Sequence, residues 1–213
     1  MLDRRHRADL VVVAEGVGEE RKFADAAPLR SRRVLLRPPS TADYDWIYRL
    51  WTDELTGFRW RGGGAISSLN DVISQLWAGS IAQFVLMTIE EPTKRVGLVQ
   101  CYWADLNNGT ANVGVIIDNA YQGAGWPFEG VALFVNYLFT NWNLRKLYFE
   151  GPEYTLSSVA SIVGDLIHEE RRLRMHDYYD GQYFDHLTLA LYRNDFEQLG
   201  MVPRLIGNPR LAT

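Results

Sequence analysis

One cysteine and four histidines in 213 residues leave little of what several function classes require. The lone Cys101 cannot close an intrachain disulfide, and no Cys/His cluster has metal-ligand spacing. A reducing cytoplasm and no bound metal are therefore expected. An excess of basic charge is missing too: the formal net charge is -4 and the pI about 5.6, which disfavours nucleic acid and anionic membrane surfaces as partners. Long apolar runs are absent. Stretches such as Val11-Val12-Val13 and 131–135 fall far short of the ~20 residues that span a bilayer. The basic cluster Asp3-Arg4-Arg5-His6-Arg7 precedes an apolar stretch bounded by Asp9 and Glu15, below the ~7 residues of an export-signal core, so a soluble arm is expected.

What is present is ordinary globular material, 47% hydrophobic and 23% charged. That composition excludes wholesale disorder, and the length suits one core with tails. Residues 1–30 have mixed charge and little periodicity and read as an N-terminal extension; 31–196 read as the domain and 197–213 as a C-terminal tail. The pattern predicts a strand over 33–37, stopped by Pro38-Pro39, then a helix capped by Ser40 with Asp43 at its third position. A second helix starts near Ser68 and ends around Gly79. Three strands follow, over 83–89, 96–103 and 110–117, the last two joined by the Asn107-Asn108-Gly109 turn. An apolar helix over 128–141, a strand over 144–150, a short helix over 156–163 and strands over 171–179 and 183–193 complete the order. This is an α+β, mixed α/β arrangement. The strand-loop-helix-strand unit at 110–150 is a crossover that sets two strands parallel, and chemistry is expected there.

Gln122-Gly123-Ala124-Gly125-Trp126-Pro127 lies between a strand end and a helix start. Such a loop aims backbone amides and a helix dipole at one anion, though two glycines also make a simple tight turn. It is neither a nucleoside triphosphate loop, lacking Gly-Lys-Ser/Thr, nor a dinucleotide fingerprint, because a meander precedes it.

Element order and loop together resemble the GCN5-related N-acetyltransferase (GNAT) superfamily, in particular its RimJ/RimL-like branch. Gln122 and Gly125 match the family's Gln/Arg-x-x-Gly-x-Gly/Ala loop. The flanking Gly114-Val115-Ile116-Ile117-Asp118, Glu129-Gly130, Asn143-Leu144-Arg145-Lys146-Leu147 and the hairpin Asp180-Gly181-Gln182-Tyr183-Phe184-Asp185 are similar as well. The resemblance implies a GNAT-like fold with splayed central parallel strands and acetyl-CoA or another acyl-CoA as cosubstrate. It implies that Gln122, Gly123, Ala124, Gly125, Trp126, Pro127 and Phe128 hold the diphosphate and that Val115, Ile116 and Ile117 bind the pantetheine arm. Thr155 and Ser158 align with an Asn-x-x-Ser/Ala pattern in which only the serine is kept.

Several positions depart from the family. Pro127 removes one amide from the cradle, although proline suits a first helical position. Asn112 stands where relatives often carry a glutamate base, and Ile162 where many carry a tyrosine acid. Ser158 is then the candidate to protonate the leaving thiolate, and Glu150 the first carboxylate to test as base, with Asp118 and His168 behind it. The acceptor side is assigned to Phe58, Arg59, Trp60 and Arg61, which run into a triglycine, and to Trp103 and Tyr178. Each of these side chains also has a plain structural reading, as does Cys101 in its apolar strand. The resulting expectation is an N-acyltransferase, with a small-molecule or peptide amine as acceptor and direct transfer between bound reactants. A catalytically silent acyl-CoA-binding or interaction module is the alternative, and self-association into a homodimer stays open.

Overall fold

The computed structural model describes residues 29–57, 67–90, 93–156 and 166–200. The chain enters through β1 (Val34–Arg37), whose Val34 and Leu36 point to one face while Leu35 points to the other. The strand ends at Pro38-Pro39, and Ser40 opens a 3-10 turn over Thr41–Asp43. The Asp43 carboxylate reaches back to the Ser40 amide at 2.7 Å, which satisfies one of the free donors of a helix start. Helix α1 (Tyr44–Thr52) follows, burying Trp46, Ile47, Leu50 and Trp51 on one stripe. A single turn, α2 (Glu54–Gly57), was not expected from the pattern, being too short for periodicity to register. Helix α3 (Leu69–Trp77) starts where Ser68 accepts from the Asp71 amide, the expected cap.

The meander comprises β2 (Ser80–Thr88), β3 (Arg95–Asp105) and β4 (Thr110–Ile117). Strand β3 runs beyond the expected end at Trp103, because a bulge there, with Trp103 at φ 49°, lets pairing resume at Asp105 with Thr110. Helix α4 (Phe128–Asn141) has the expected bounds and buries Leu133, Phe134, Val135, Leu138 and Phe139. Strand β5 (Lys146–Pro152) lies two residues later than expected, since the amides of Arg145 and Lys146 first close the turn onto the Gly109 carbonyl. Residues 153–156 are helical; the rest of the short helix expected to Val163 lies outside the described residues. Strand β6 (Ile167–Tyr179) begins earlier than the expected Arg171, because the polar run His168-Glu169-Glu170 lies on an exposed edge and shows no alternation to mark it as strand. After β7 (Gln182–Tyr192) the chain turns into α5 (Arg193–Gln198), where a strand end and tail were expected, and Phe196 packs into the core.

Seven strands form one sheet in the order β1-β2-β3-β4-β5-β7-β6, antiparallel throughout except for β4 with β5. One face is covered by α4, with apolar residues from every strand of the series β1 to β5 and from β7. On the other face α1 and α3 cover only the first part, contributing Trp46, Ile47, Val72 and Leu76 against Val85, Leu98 and Ile116. Among the described residues no helix is long and apolar enough to cross a membrane.

Candidate active site

The parallel pair at the centre of the sheet is incomplete. Thr110, Ala111 and Asn112 pair with Lys146, Leu147 and Tyr148, and there the ladder stops, although β4 continues to Ile117 and β5 to Pro152. Beyond Asn112, β4 pairs with β3 alone. A strand pairs on two sides, so the side of 113–117 that faces β5 carries backbone donors and acceptors without a ladder partner. Such an internal edge suits an extended, amide-bearing ligand. Val115 and Ile117 are half-buried against the α4 side, whereas Ile116 is buried under α1 and α3.

Where β4 ends, Asp118 caps a 3-10 turn over Asn119–Tyr121, accepting from the Ala120 amide at 3.0 Å and from Trp46 Nε1 at 3.1 Å. Those bonds give Asp118 a structural role rather than that of a base. Of the amides between Tyr121 and Phe128 expected to grip a diphosphate, most are engaged within the loop. Tyr121, Gln122, Ala124, Trp126 and Phe128 donate to carbonyls of the same loop, at 2.8 to 3.4 Å, because successive tight turns close on themselves. Among the described residues, the amides of Gly123 and Gly125 make no hydrogen bond. Both glycines have positive φ, +75° and +73°, and a Cβ on either would meet nothing within 4 Å. The cradle is thus two bare amides on glycines with open space at their Cβ positions, a narrower feature than the sequence suggested. Gln122 ties it down: its Nε2 donates to Asn119 Oδ1 at 2.6 Å, and Asn119 donates on to Asp53. Trp126 packs edge-on against Tyr121 and the core. At the start of α4, Glu129 accepts from Arg33 and from Ser31, so its charge is matched beside the loop.

A polar cluster sits where the strands part. Glu150 accepts from Asn112 Nδ2 at 2.7 Å and from Thr188 Oγ1 at 3.3 Å. These residues share one face, since Glu150 lies opposite Thr188 in the β5–β7 ladder while Asn112 and Tyr148 are paired in the β4–β5 ladder. It is the face that α1 and α3 leave bare. The sequence pointed to Asn112 and Glu150 separately but gave no sign that they touch, and it missed Thr188, because both contacts depend on register between strands distant in sequence. Gln83 was missed as well: it is 4% exposed, stands opposite Gln100 in the ladder, and its side-chain amide has no partner among the described residues.

Other expected site residues are less central. Thr155 lies in the turn of helix that leaves β5, and its hydroxyl is buried. Trp103 stands on the β3 bulge, 63% exposed, with its ring against Tyr102. Tyr178 lies near the end of the β6–β7 hairpin, edge-on to Tyr183. Ser158, Phe58, Arg59, Trp60 and Arg61 lie outside the described residues. His168 meets Asp195 at 3.0 Å, joining β6 to α5. Cys101 is buried, and burial pushes its thiol up to about 12, which fits a packing role and not a nucleophile.

A family profile described as "Acetyltransferase (GNAT) domain" matches residues 33–151, more than half of the chain, and spans β1 through the gap to β5. The chain belongs to the GNAT acetyltransferase family. As a GNAT protein it is an acyl-CoA-dependent N-acyltransferase, moving an acyl group from acyl-CoA to an amine. Solved structures share this GNAT fold. Spermidine N-acetyltransferase from Vibrio cholerae, in complex with CoA and spermine, is 19% identical with a TM-score of 0.67, over 77% of this chain and 98% of that one. A GNAT-family acetyltransferase from Bacillus anthracis is 16% identical with a TM-score of 0.62, over 78% and 98%. No curated protein matches the sequence. The bare glycine amides and the internal strand edge fit the diphosphate and the pantetheine amides of the family's cosubstrate.

Proposed function

We propose that the chain transfers an acetyl group directly from acetyl-CoA to a small amine, as a member of the RimJ/RimL-like branch. In this reading the Gly123 and Gly125 amides hold the diphosphate, and Val115, Ile116 and Ile117 offer the strand edge to the pantetheine arm. Gln122, Ala124, Trp126, Pro127 and Phe128 shape the loop rather than contact the ligand through their amides. The thioester then lies where β4 and β5 part, and the acceptor approaches over the bare face. Glu150 faces that approach with an anionic group, which suits an ammonium-bearing acceptor. The V. cholerae protein, solved with spermine, supports the choice of a small amine. Ser158 is the proposed donor of a proton to the leaving thiolate, and Phe58, Arg59, Trp60 and Arg61, with Trp103, line the acceptor side.

The loss of pairing after Asn112 and Tyr148 carries this reading. Thermal unfolding with coenzyme A and acetyl-CoA tests it. A ligand that binds only the folded chain adds about 2.7 kcal/mol at a hundredfold excess over Kd, a rise of several degrees in Tm. Coenzyme A release with a panel of primary amines is expected as well. No rise in Tm refutes the site, and a rise without turnover on any amine assigns a silent acyl-CoA-binding module.

A further inference from the structure

We infer that His186, oriented by Asp177, is a catalytic residue that takes the proton from the acceptor amine beside Glu150. The inference rests on the reading of the gap as the acyl-CoA site. In the β5–β7 ladder Glu150 opposes Thr188 and Pro152 opposes His186, so His186 shares the bare face with Glu150. It stands one step further along that face, toward the open end of the gap. Diagonal neighbours of this kind lie ~7–8 Å apart, a distance one acceptor nitrogen or one water can bridge.

The imidazole is held in one orientation. His186 Nδ1 lies 2.7 Å from Asp177 Oδ2, and an ionised carboxylate only accepts, so Nδ1 carries the hydrogen. In the neutral ring that leaves the lone pair on Nε2, which has no hydrogen-bond partner among the described residues. Getting Asp177 there takes an irregularity in β6. Leu173 pairs with His186, yet Asp177 pairs with Phe184, so residues 174–176 bulge opposite the single Asp185. At the bulge Met175 has φ 50°, and its amide donates to Asp185 Oδ1 at 2.9 Å. A regular ladder from Leu173 would have set residue 177 opposite Gln182, two places away. Bulges that re-aim one side chain are a recurrent device beside active sites. The other groups around the ring are, from β6, the His176 imidazole at 5.6 Å and Arg171, which is diagonal to His186 across the β6–β7 ladder, and, from β5, Glu150. Asp185 and Glu153 are engaged by Arg172.

The proton balance is complete with these groups. The acceptor arrives as R-NH3+ against the Glu150 carboxylate, and one proton passes to His186 Nε2, directly or through water. The freed lone pair attacks the thioester carbonyl; the C–N bond forms and the C–S bond breaks. The second proton lost from nitrogen balances the one the departing thiolate takes up, leaving amide and coenzyme A. Asp177 touches neither reactant and is a positioning residue, compensating the imidazolium.

Two measurements on the full chain test the assignment. Nitrogen-15 histidine NMR with coenzyme A bound, assigned with His186→Gln, is expected to show the Nδ1–H tautomer for His186 and its loss in Asp177→Asn. In coenzyme A release assays across the primary amine panel, His186→Ala should lose about 100-fold in kcat. Coenzyme A affinity and acceptor KM should stay close to wild type, with added imidazole restoring part of the rate. The Nε2–H tautomer, a wild-type rate in His186→Ala, or a lost rate that imidazole does not restore in protein that still binds coenzyme A would each overturn it. Failure of the wild-type chain to bind coenzyme A would strike the gap instead, and the tautomer would still report on the dyad.

Discussion

Among the described residues, strands β1 to β4 are covered on both faces, whereas β5 and β7 are covered on one and β6 is an exposed edge. The first region has two apolar layers with Ile116 at the edge of the second; the other offers Asn112, Glu150, Thr188 and His186 on its open face. The boundary between them is the parting of β4 and β5. A site placed there has a rigid, doubly packed wall on one side and a polar surface on the other, which is how a scaffold holds reacting groups in position without burying them. The comparison predicts that substitutions in the covered half act on stability and those on the bare face act on turnover.

The largest loss is expected at the layer both halves share. Phe134 is fully buried, edge-on to Phe84 at 5.9 Å. Phe134→Ala should cost about 3–5 kcal/mol, read as a lower denaturant midpoint. A loss below about 1 kcal/mol would mean that α4 is not the keystone of the core.

Asp43 comes next. Burial by itself would raise its carboxyl, but donors from Arg37, the Ser40 amide, Arg95 and the Ser40 hydroxyl outweigh it and hold the group well below the usual carboxylate range. Arg37 and Arg95 are 26% and 34% exposed, which discounts the pair energies. Asp43→Asn should therefore cost about 2–3 kcal/mol rather than the full cost of breaking a buried pair. Because the folded value is depressed, this stability is fully present above the ordinary 3.8 and is lost as pH falls below it toward the folded value. Acid unfolding should accordingly steepen below about pH 4 in wild type and less so in Asp43→Asn. Equal profiles would remove Asp43 from the account.

The covered half was the legible half. Alternation in β4 and the apolar run of α4 gave their bounds, because burial on known faces writes a period into the sequence. Ser68 and Ser40 announced their helix starts through local capping chemistry. The bare face was less legible. Glu150 with Asn112, and His186 with Asp177, meet through ladder register and a bulge in β6, and neither leaves a local pattern. The glycine loop was found by its composition, but which of its amides are bare depends on turns that only backbone geometry shows.

At the boundary, Gly125→Ala should cost about 1–2 kcal/mol, since an L side chain at φ +73° is strained even with open space around it. The fold has no other objection to that methyl group. The sharper readout is the rise in Tm with coenzyme A, which should shrink strongly as the loop shifts to relieve the strain. An unchanged rise would separate the loop from the diphosphate.

The smallest stability change is expected at Glu150. It is exposed and its partners are side chains, so Glu150→Gln should move stability by no more than about 0.5 kcal/mol. The amide keeps one oxygen to accept from Asn112 and turns an NH2 toward the Thr188 hydroxyl, which can accept, but it loses the charge that faces the acceptor. If that charge holds an ammonium, acceptor KM rises while coenzyme A affinity stays put, because the loss falls on acceptor binding alone. A fall in kcat at constant KM would instead give Glu150 the proton-transfer role assigned to His186. One substitution thus decides how the two groups of the bare face divide the reaction, while the doubly covered half is left undisturbed.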